Sequence, residues 1–253
     1  LGSIYGLRFK GVYQYTYEYL INMKERNNWS GEDLRNYINN EFLPSGKTAP
    51  IAIDNEGKVL MSSTGEPVRQ VYNFKDGSST YKFQGGDAIY EDINNDGQIN
   101  SLDIVYLGNS NPKVSGGFGF NFFWGSNWSL KTSFSYRAGV KVVNSAKMGL
   151  EQMFNAYNQS SAVNWRWRKN GDVTNIPRAM FDTGYNFLGS DRYVEDASFI
   201  RMSYIQLVYN FDKKLLKALG MRRLQLSISG QNLFCWSKYS GTDPEHSAGA
   251  WGI

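Results

Sequence analysis

Phe199-Ile200-Arg201-Met202-Ser203-Tyr204-Ile205-Gln206-Leu207-Val208-Tyr209-Asn210-Phe211, a connection from Asp212 to Arg223, and Leu224-Gln225-Leu226-Ser227-Ile228-Ser229-Gly230-Gln231 together decide the fold. In the last run Leu224, Leu226 and Ile228 take one face while Gln225, Ser227, Ser229 and Gln231 take the other. That is the period-2 pattern of a sheet wetted on one side. Upstream, Val114, Gly116, Phe118, Phe120 and Phe122 alternate with Ser115, Gly117, Gly119 and Asn121. After a turn at 124–127, Trp128, Leu130, Phe134 and Tyr136 alternate with Ser129, Lys131, Ser133, Ser135 and Arg137. Strands are predicted over about 114–123, 128–138, 199–211 and 223–231, with a further one over about 3–17. Phe118, Leu130, Leu207 and Leu226 are expected on the greasy side, and Ser129 and Ser227 on the other.

The connections alternate in length. Those over 18–113, 138–198 and 232–253 are long, and those at 124–127 and 212–223 are short. Ser30 and Asp33 have the spacing of a capping box and predict a short helix through Phe42. An amphipathic helix is expected around Leu150, Met153, Phe154 and Tyr157. Outer-membrane barrels have brief periplasmic turns and extended extracellular loops, which matches this alternation. Trp124, Trp128, Tyr136, Tyr209 and Phe211 sit near strand ends, where interfacial aromatic girdles lie. A soluble β-sandwich also alternates, but compact domains connect their strands with far shorter loops. The expected fold class is therefore all-β, a portion of a large antiparallel transmembrane β-barrel with long extracellular loops.

The 253 residues are 15% aromatic and 20% charged, with a mean hydropathy of −0.48. There is no run of the roughly 20 apolar residues that a membrane helix needs. Barrel strands alternate and never build one. The single cysteine, Cys235, forms no internal disulfide framework, and the single histidine, His246, leaves no His pair for a zinc site or triad. Asp182, Asp191, Glu195 and Asp196 are not paired across a cleft by any sequence signal, so no enzyme is expected. The net charge is +4, but Lys and Arg are scattered, which argues against nucleic acid. The first residues show neither an initiating Met nor a leader, and the last read as loop, so truncation at both ends is expected. Lys131, Arg137 and Arg201 are candidates to line a wet lumen. Trp165-Arg166-Trp167-Arg168 suits either stacking on sugar or peptide, or anchoring the loop by packing and cation–π contact.

Asp92-Ile93-Asn94-Asn95-Asp96-Gly97-Gln98-Ile99-Asn100-Ser101-Leu102-Asp103 is spaced like a calcium loop. Calcium takes six to eight oxygens, supplied by side chains at the first, third and fifth positions, a carbonyl at the seventh and an acid at the twelfth. Asp92, Asn94, Asp96, Gln98 and Asp103 fill those places, with Gly97 at the sharp turn. Asp103 stands where a longer, bidentate Glu is usual. The expected metal is a structural Ca2+ that stiffens the loop.

Several spaced stretches resemble the SusC/RagA-type outer-membrane proteins. They are Gly86-Asp87 through the Asp92 loop to Leu107-Gly108-Asn109 and Asn111-Pro112, and the loop Trp165 to Arg178 closing on Ile176-Pro177-Arg178. To these are added Val194-Glu195-Asp196-Ala197-Ser198-Phe199-Ile200-Arg201, Gln231-Asn232-Leu233-Phe234 and Tyr239-Ser240-Gly241-Thr242-Asp243-Pro244-Glu245. The likeness covers Gly86 to Glu245, and residues 1 to 85 match only loosely. It implies a multi-pass TonB-dependent transporter in the outer membrane of Bacteroidota, with a barrel of about 22 strands around a plug. The implied partners are a SusD-like surface lipoprotein, TonB reached through an N-terminal part, and outer-membrane lipid. The implied cargo is glycan oligosaccharide or peptide. This sequence then corresponds to the C-terminal part of the barrel, without plug or final strand. The alternative from the residues alone is a secreted calcium-stabilised β-domain that adheres to carbohydrate.

Overall fold

The computed structural model describes residues 2–74 and 80–245; His246 lies outside the described residues. The chain divides into two compact units, one built on residues 2–4, 108–144 and 194–245, the other on 5–107 and 145–193.

Four long strands make the first unit: β1 (Val114–Trp124), β2 (Trp128–Ala138), β3 (Phe199–Asn210) and β4 (Gln225–Ser237). They lie side by side in chain order, each antiparallel to the next. Cross-strand partners share a face. The pairing sets Phe122, Leu130, Leu207 and Ile228 in one row and Phe118, Phe134, Met202 and Phe234 in another. The Phe118 and Phe134 rings stack with centroids 5.0 Å apart. The opposite face carries the rows Ser129, Val208, Ser227 and Lys131, Gln206, Ser229. The greasy side is thus separated from the serine side across all four strands.

A β-sandwich would cover the greasy face with a second sheet. Here Ile228 is 71% exposed, Leu226 65% and Phe118 45%, so the chain's described residues leave it open. An 11-residue strand such as β1, at about 3.4 Å per residue and tilted about 45°, rises roughly 26 Å, close to the ~25 Å apolar band of outer-membrane barrels. Trp128, Tyr209 and Phe211 cluster at one end of the face, with centroids 4.6 and 4.8 Å apart. Tyr136 and Trp236 mark the other end, both aligned with Ile200.

A bulge keeps the faces in phase. Between Met202 and Tyr204 the register shifts, so the ladder to β2 skips Ser203, which reaches that strand through its hydroxyl, 3.0 Å from Ser135 Oγ, and β4 sets two residues, Asn232 and Leu233, against it. Asn232 takes the left-handed backbone, φ 50°, that such bulges use. Apolar positions on β3 accordingly change from even (Ile200, Met202) to odd (Ile205, Leu207, Tyr209). The bulge also lets β4 continue to Ser237, six residues beyond the predicted end, with Phe234 and Trp236 rejoining the greasy face.

Outside the long sheet three expectations are corrected. Residues 3–17 are not one strand: Ser3–Gly6 and Phe9–Val12 are separate short strands, and Tyr17 opens a helix. The break occurs at Leu7, which is wholly buried, with its amide donating to Gly189 O at 2.9 Å. The stretch 18–113, expected as a long loop carrying one short helix, is folded more fully than that. Helix α1 (Tyr17–Arg26) is capped by Thr16, whose hydroxyl accepts from the Tyr19 amide at 3.1 Å. Helix α2 (Gly31–Tyr37) begins on the capping box expected at Ser30 and Asp33, and a π-helical turn extends it to Phe42. Hydrogen bonds from the Ser30 hydroxyl and amide hold the Asp33 carboxyl below its ordinary range.

One core gathers Leu20, Leu34, Ile38, Phe42, Ile51 and Val59. Another gathers Leu7, Tyr13, Phe83, Ala88, Tyr90 and Ile99. The helix expected near Leu150 is Ser145–Glu151 only. Met153 beyond it takes a left-handed backbone (φ 49°), and the Tyr157 amide is claimed by Asn155 Oδ1 at 3.1 Å.

Candidate functional site

On the polar face of the sheet, Arg137 and Arg201 are bound by the acids that follow β4. Arg201 Nη2 lies 2.6 Å from Asp243 Oδ1, Arg201 Nε 3.6 Å from Glu245 Oε2, and Arg137 Nη2 3.4 Å from Glu245 Oε1. Both guanidiniums lie within 6 Å of the Phe199 ring, at 5.9 and 5.5 Å. Ser240 is fixed in turn by Glu195, which accepts from its amide and its hydroxyl at 2.8 Å. The segment 239–245 is therefore folded onto the serine side of the wall.

In the acidic loop the carboxylates fold the backbone. Asp92 Oδ2 accepts from the Gly97 amide at 2.7 Å and Oδ1 from the Asp96 amide at 3.3 Å; Asp96 Oδ1 accepts from the Gln98 amide at 2.8 Å. Asn94 Oδ1 takes a further bond from the Asp96 amide, at 3.2 Å. Gly97 has φ 81°, as the sharp turn requires. Asp103 is wholly buried, with its two oxygens accepting from the amides of Ile93 and Asn100, each at 2.8 Å. The Gln98 side chain points instead to Asn73, at 2.7 Å. Burial, with Asp103 and Asp96 nearby, raises the Asp92 carboxyl above its ordinary range against the Gly97 hydrogen bond. Among the described residues no group of three or more His, Cys, Asp and Glu side chains gathers as a metal cluster. The donors keep the register of a calcium loop, and what the structure shows them doing is holding that loop closed.

A second polar centre was missed in the sequence because its members are far apart along the chain. Asp87 is fully buried. Its Oδ1 accepts from Arg178 Nε at 2.6 Å and Asn186 Nδ2 at 3.3 Å, and its Oδ2 from the Tyr81 hydroxyl at 2.6 Å and the Gln84 amide at 2.7 Å. Arg178 Nη2 also donates to the Tyr81 hydroxyl at 2.9 Å, and the Arg178 amide to Gly86 O at 2.7 Å. The Tyr81 and Tyr185 rings stack at 4.1 Å above this network.

No family model matches the chain. TonB-dependent receptor P39 of Formosa agariphila is 27% identical over 252 residues, covering 97% of this chain and 22% of that protein. TonB-dependent receptor P26 of the same organism is 30% identical over 162 residues, covering 64% and 16%. In fold, the chain superposes on a structure of the RagAB peptide transporter with a TM-score of 0.57 at 21% identity, over 65% of this chain and 19% of that one. In sequence the chain is similar to TonB-dependent receptors, and in fold to the RagAB transporter. It spans about a fifth of the length of the curated relatives it matches. Its sheet is a stretch of an antiparallel barrel wall, left open here at β1 and β4.

The stretches that carry the SusC/RagA resemblance are the ones that tie these polar centres. Gly86-Asp87 meets Ile176-Pro177-Arg178 in the buried network, and Asp243 and Glu245 meet Arg201 on the wall. The two tryptophans of the 165–168 run have separate environments. Trp167 donates Nε1–H to Gln14 O at 3.0 Å and packs on Gly86, where a Cβ would collide with its ring. Gly86 itself has φ 83°, so glycine is required there twice over. Trp165 stands 79% exposed.

Proposed function

We propose that this chain forms barrel wall and extracellular loops of an outer-membrane importer, one that takes up oligosaccharides or peptides without covalent chemistry. In this reading TonB supplies the energy through another part of the protein, and a SusD-like lipoprotein covers the extracellular mouth. The observation that carries it is the four-stranded meander with an uncovered greasy face on one side and Ser129, Lys131, Gln206 and Ser227 on the other. Lipid would meet the first face and cargo the second. In a bilayer the open edges of β1 and β4 need neighbouring strands, because each unpaired backbone group there costs several kcal/mol.

The test is uptake by cells carrying the complete receptor. Import of a labelled oligosaccharide or peptide should stop when TonB is removed and when the receptor gene is deleted. Import that survives both losses overturns the reading. The adhesin alternative requires residues 1–253 to be a monodisperse monomer without detergent; that behaviour would favour it over the barrel.

The acidic loop is proposed to hold calcium through Asp92, Asn94, Asp96 and Asp103 with the carbonyl of Gln98. Titrating calcium into the receptor should reveal a site whose affinity falls at least tenfold in Asp96→Ala, the loss expected when a charged ligand is removed. Equal affinity in both proteins removes the metal.

A further inference from the structure

Of the paired tryptophans, Trp167 is accounted for by packing and Trp165 is not. Trp165 ends a 3-10 helix, Ser161–Trp165, whose N-cap Ser160 hydroxyl accepts from the Ala162 amide at 3.2 Å. The chain after it is held on every side. Trp165 O accepts from the Thr174 hydroxyl at 2.6 Å, the amides of Arg168 and Lys169 donate to Asp172 Oδ2 at 2.9 and 3.0 Å, and the Gly171 amide donates to Gln14 O at 2.9 Å. Two guanidiniums are aimed by carbonyls of the same turn: Arg166 Nη1 donates to Val163 O at 3.3 Å and Arg168 Nη2 to Asn164 O at 2.8 Å. Neither, nor Lys169, has a carboxylate ion-pair partner among the described residues.

These side chains, with Asp172, line an open hollow of about 500 Å³. A flat aromatic face is held out into solvent, beside three cations and one acid whose Oδ2 is already committed to two amides. An indole in water wants a flat apolar surface against it. Guanidiniums in fixed orientations want planar oxyanions. A pyranose ring that carries a carboxylate or sulfate offers both, its C–H face to the indole and its oxyanion to the forks. A peptide is bound by strand addition or by side-chain pockets. Among the described residues no strand lies between Val143 and Val194 to receive one by addition.

We propose that Trp165, Arg166, Arg168 and Lys169 form a surface capture site for an oligosaccharide of acidic sugars. The site lies on the second unit, and its role in uptake rests on the import reading above. Trp165 stacks on one ring while Arg166 and Arg168 bind the anionic groups of that ring and its neighbour.

The test uses the full-length receptor in detergent and calorimetric titration with hexagalacturonate, a neutral galactan hexasaccharide and hexaglutamate. Hexagalacturonate should bind best. Trp165→Ala should weaken it about tenfold or more, as loss of an aromatic anchor does. Arg166→Gln with Arg168→Gln should weaken it at least as much and flatten its salt dependence. The melting temperature should hold in each variant, since Trp165 is exposed. Failure of hexagalacturonate to bind, equal affinity in Trp165→Ala, or equal binding of the neutral hexasaccharide would each overturn the site. Hexaglutamate binding more tightly, with the same losses, would overturn the ligand class. Binding through Trp165 without TonB-driven uptake leaves the site standing and sinks the import reading; TonB-driven uptake of another cargo with no hexagalacturonate binding does the reverse.

Discussion

Replacing Asp87 with Ala is expected to destabilise the loop unit by about 3 kcal/mol, toward the low end for breaking a buried ion pair. The low end applies because Arg178 keeps 31% of its side chain in solvent while Asp87 keeps none. The cost comes from what is left behind. Arg178, the Tyr81 hydroxyl, the Gln84 amide and Asn186 all lose their common acceptor at once, and buried donors without acceptors are penalised individually. Among the described residues, segments near 81–88, 178 and 186 are joined by no other ion pair. Limited proteolysis of the receptor in membranes should therefore show new cleavage within the loops while the barrel core stays intact. Asp87→Leu combined with Arg178→Met should recover part of the loss, since removing both charges leaves no unpaired ion. A protease pattern identical to wild type in Asp87→Ala would show that the network does not hold the loops.

The second large effect concerns neighbouring residues on β4. Ile228→Arg is expected to cost about 1–2 kcal/mol on insertion into a bilayer, between the interfacial and midplane figures for arginine on the lipid side. Ser227→Arg, one residue away, is expected to cost little. Ile228 shares a row with Leu207 and Leu130, the next greasy row in from Leu226, Tyr209 and Trp128 at the strand ends, and Ser227 sits with Val208 and Ser129 on the opposite face. If water covered both faces, a change at a side chain as exposed as Ile228 (71%) would be nearly neutral. Reversible folding of the receptor into lipid vesicles, followed by denaturant titration, measures the difference directly. Equal effects of the two arginines would remove the membrane from the reading of this sheet.

The two faces of the wall were legible in the sequence because a strand's period is two and its cause is local. Phe118, Leu130, Leu207 and Leu226 fall on the greasy side and Ser129 and Ser227 on the other, as expected. The end of β4 was misplaced because Asn232, read as the start of a loop, sits in a bulge within the strand. The second unit, its capped helix at Ser30 apart, was illegible for a different reason. Its order comes from partners distant in sequence, Leu7 with Gly189 and Asp87 with Arg178, and no periodicity announces them. Helix α1 left one usable sign, the Thr16 cap before Tyr17. In the acidic loop the residue types were readable, but the burial of Asp103 and its two amide bonds were not. Trp165 and Trp167 look equivalent in sequence, and only the Gly86 backbone beneath one of them separates their roles.

The extra residue in β3 makes the strand's tolerance of length changes depend on where they fall. Without Ser203, Met202 would be followed by Tyr204 and then Ile205, so side chains would alternate against β2 with no bulge, and Ile205, Leu207 and Tyr209 would keep the side they have now. Losing Gln206 with the bulge in place would instead turn Leu207 and Tyr209 to the polar side and Val208 to the greasy one. One missing codon would be absorbed at the first position and would invert the strand's end at the second.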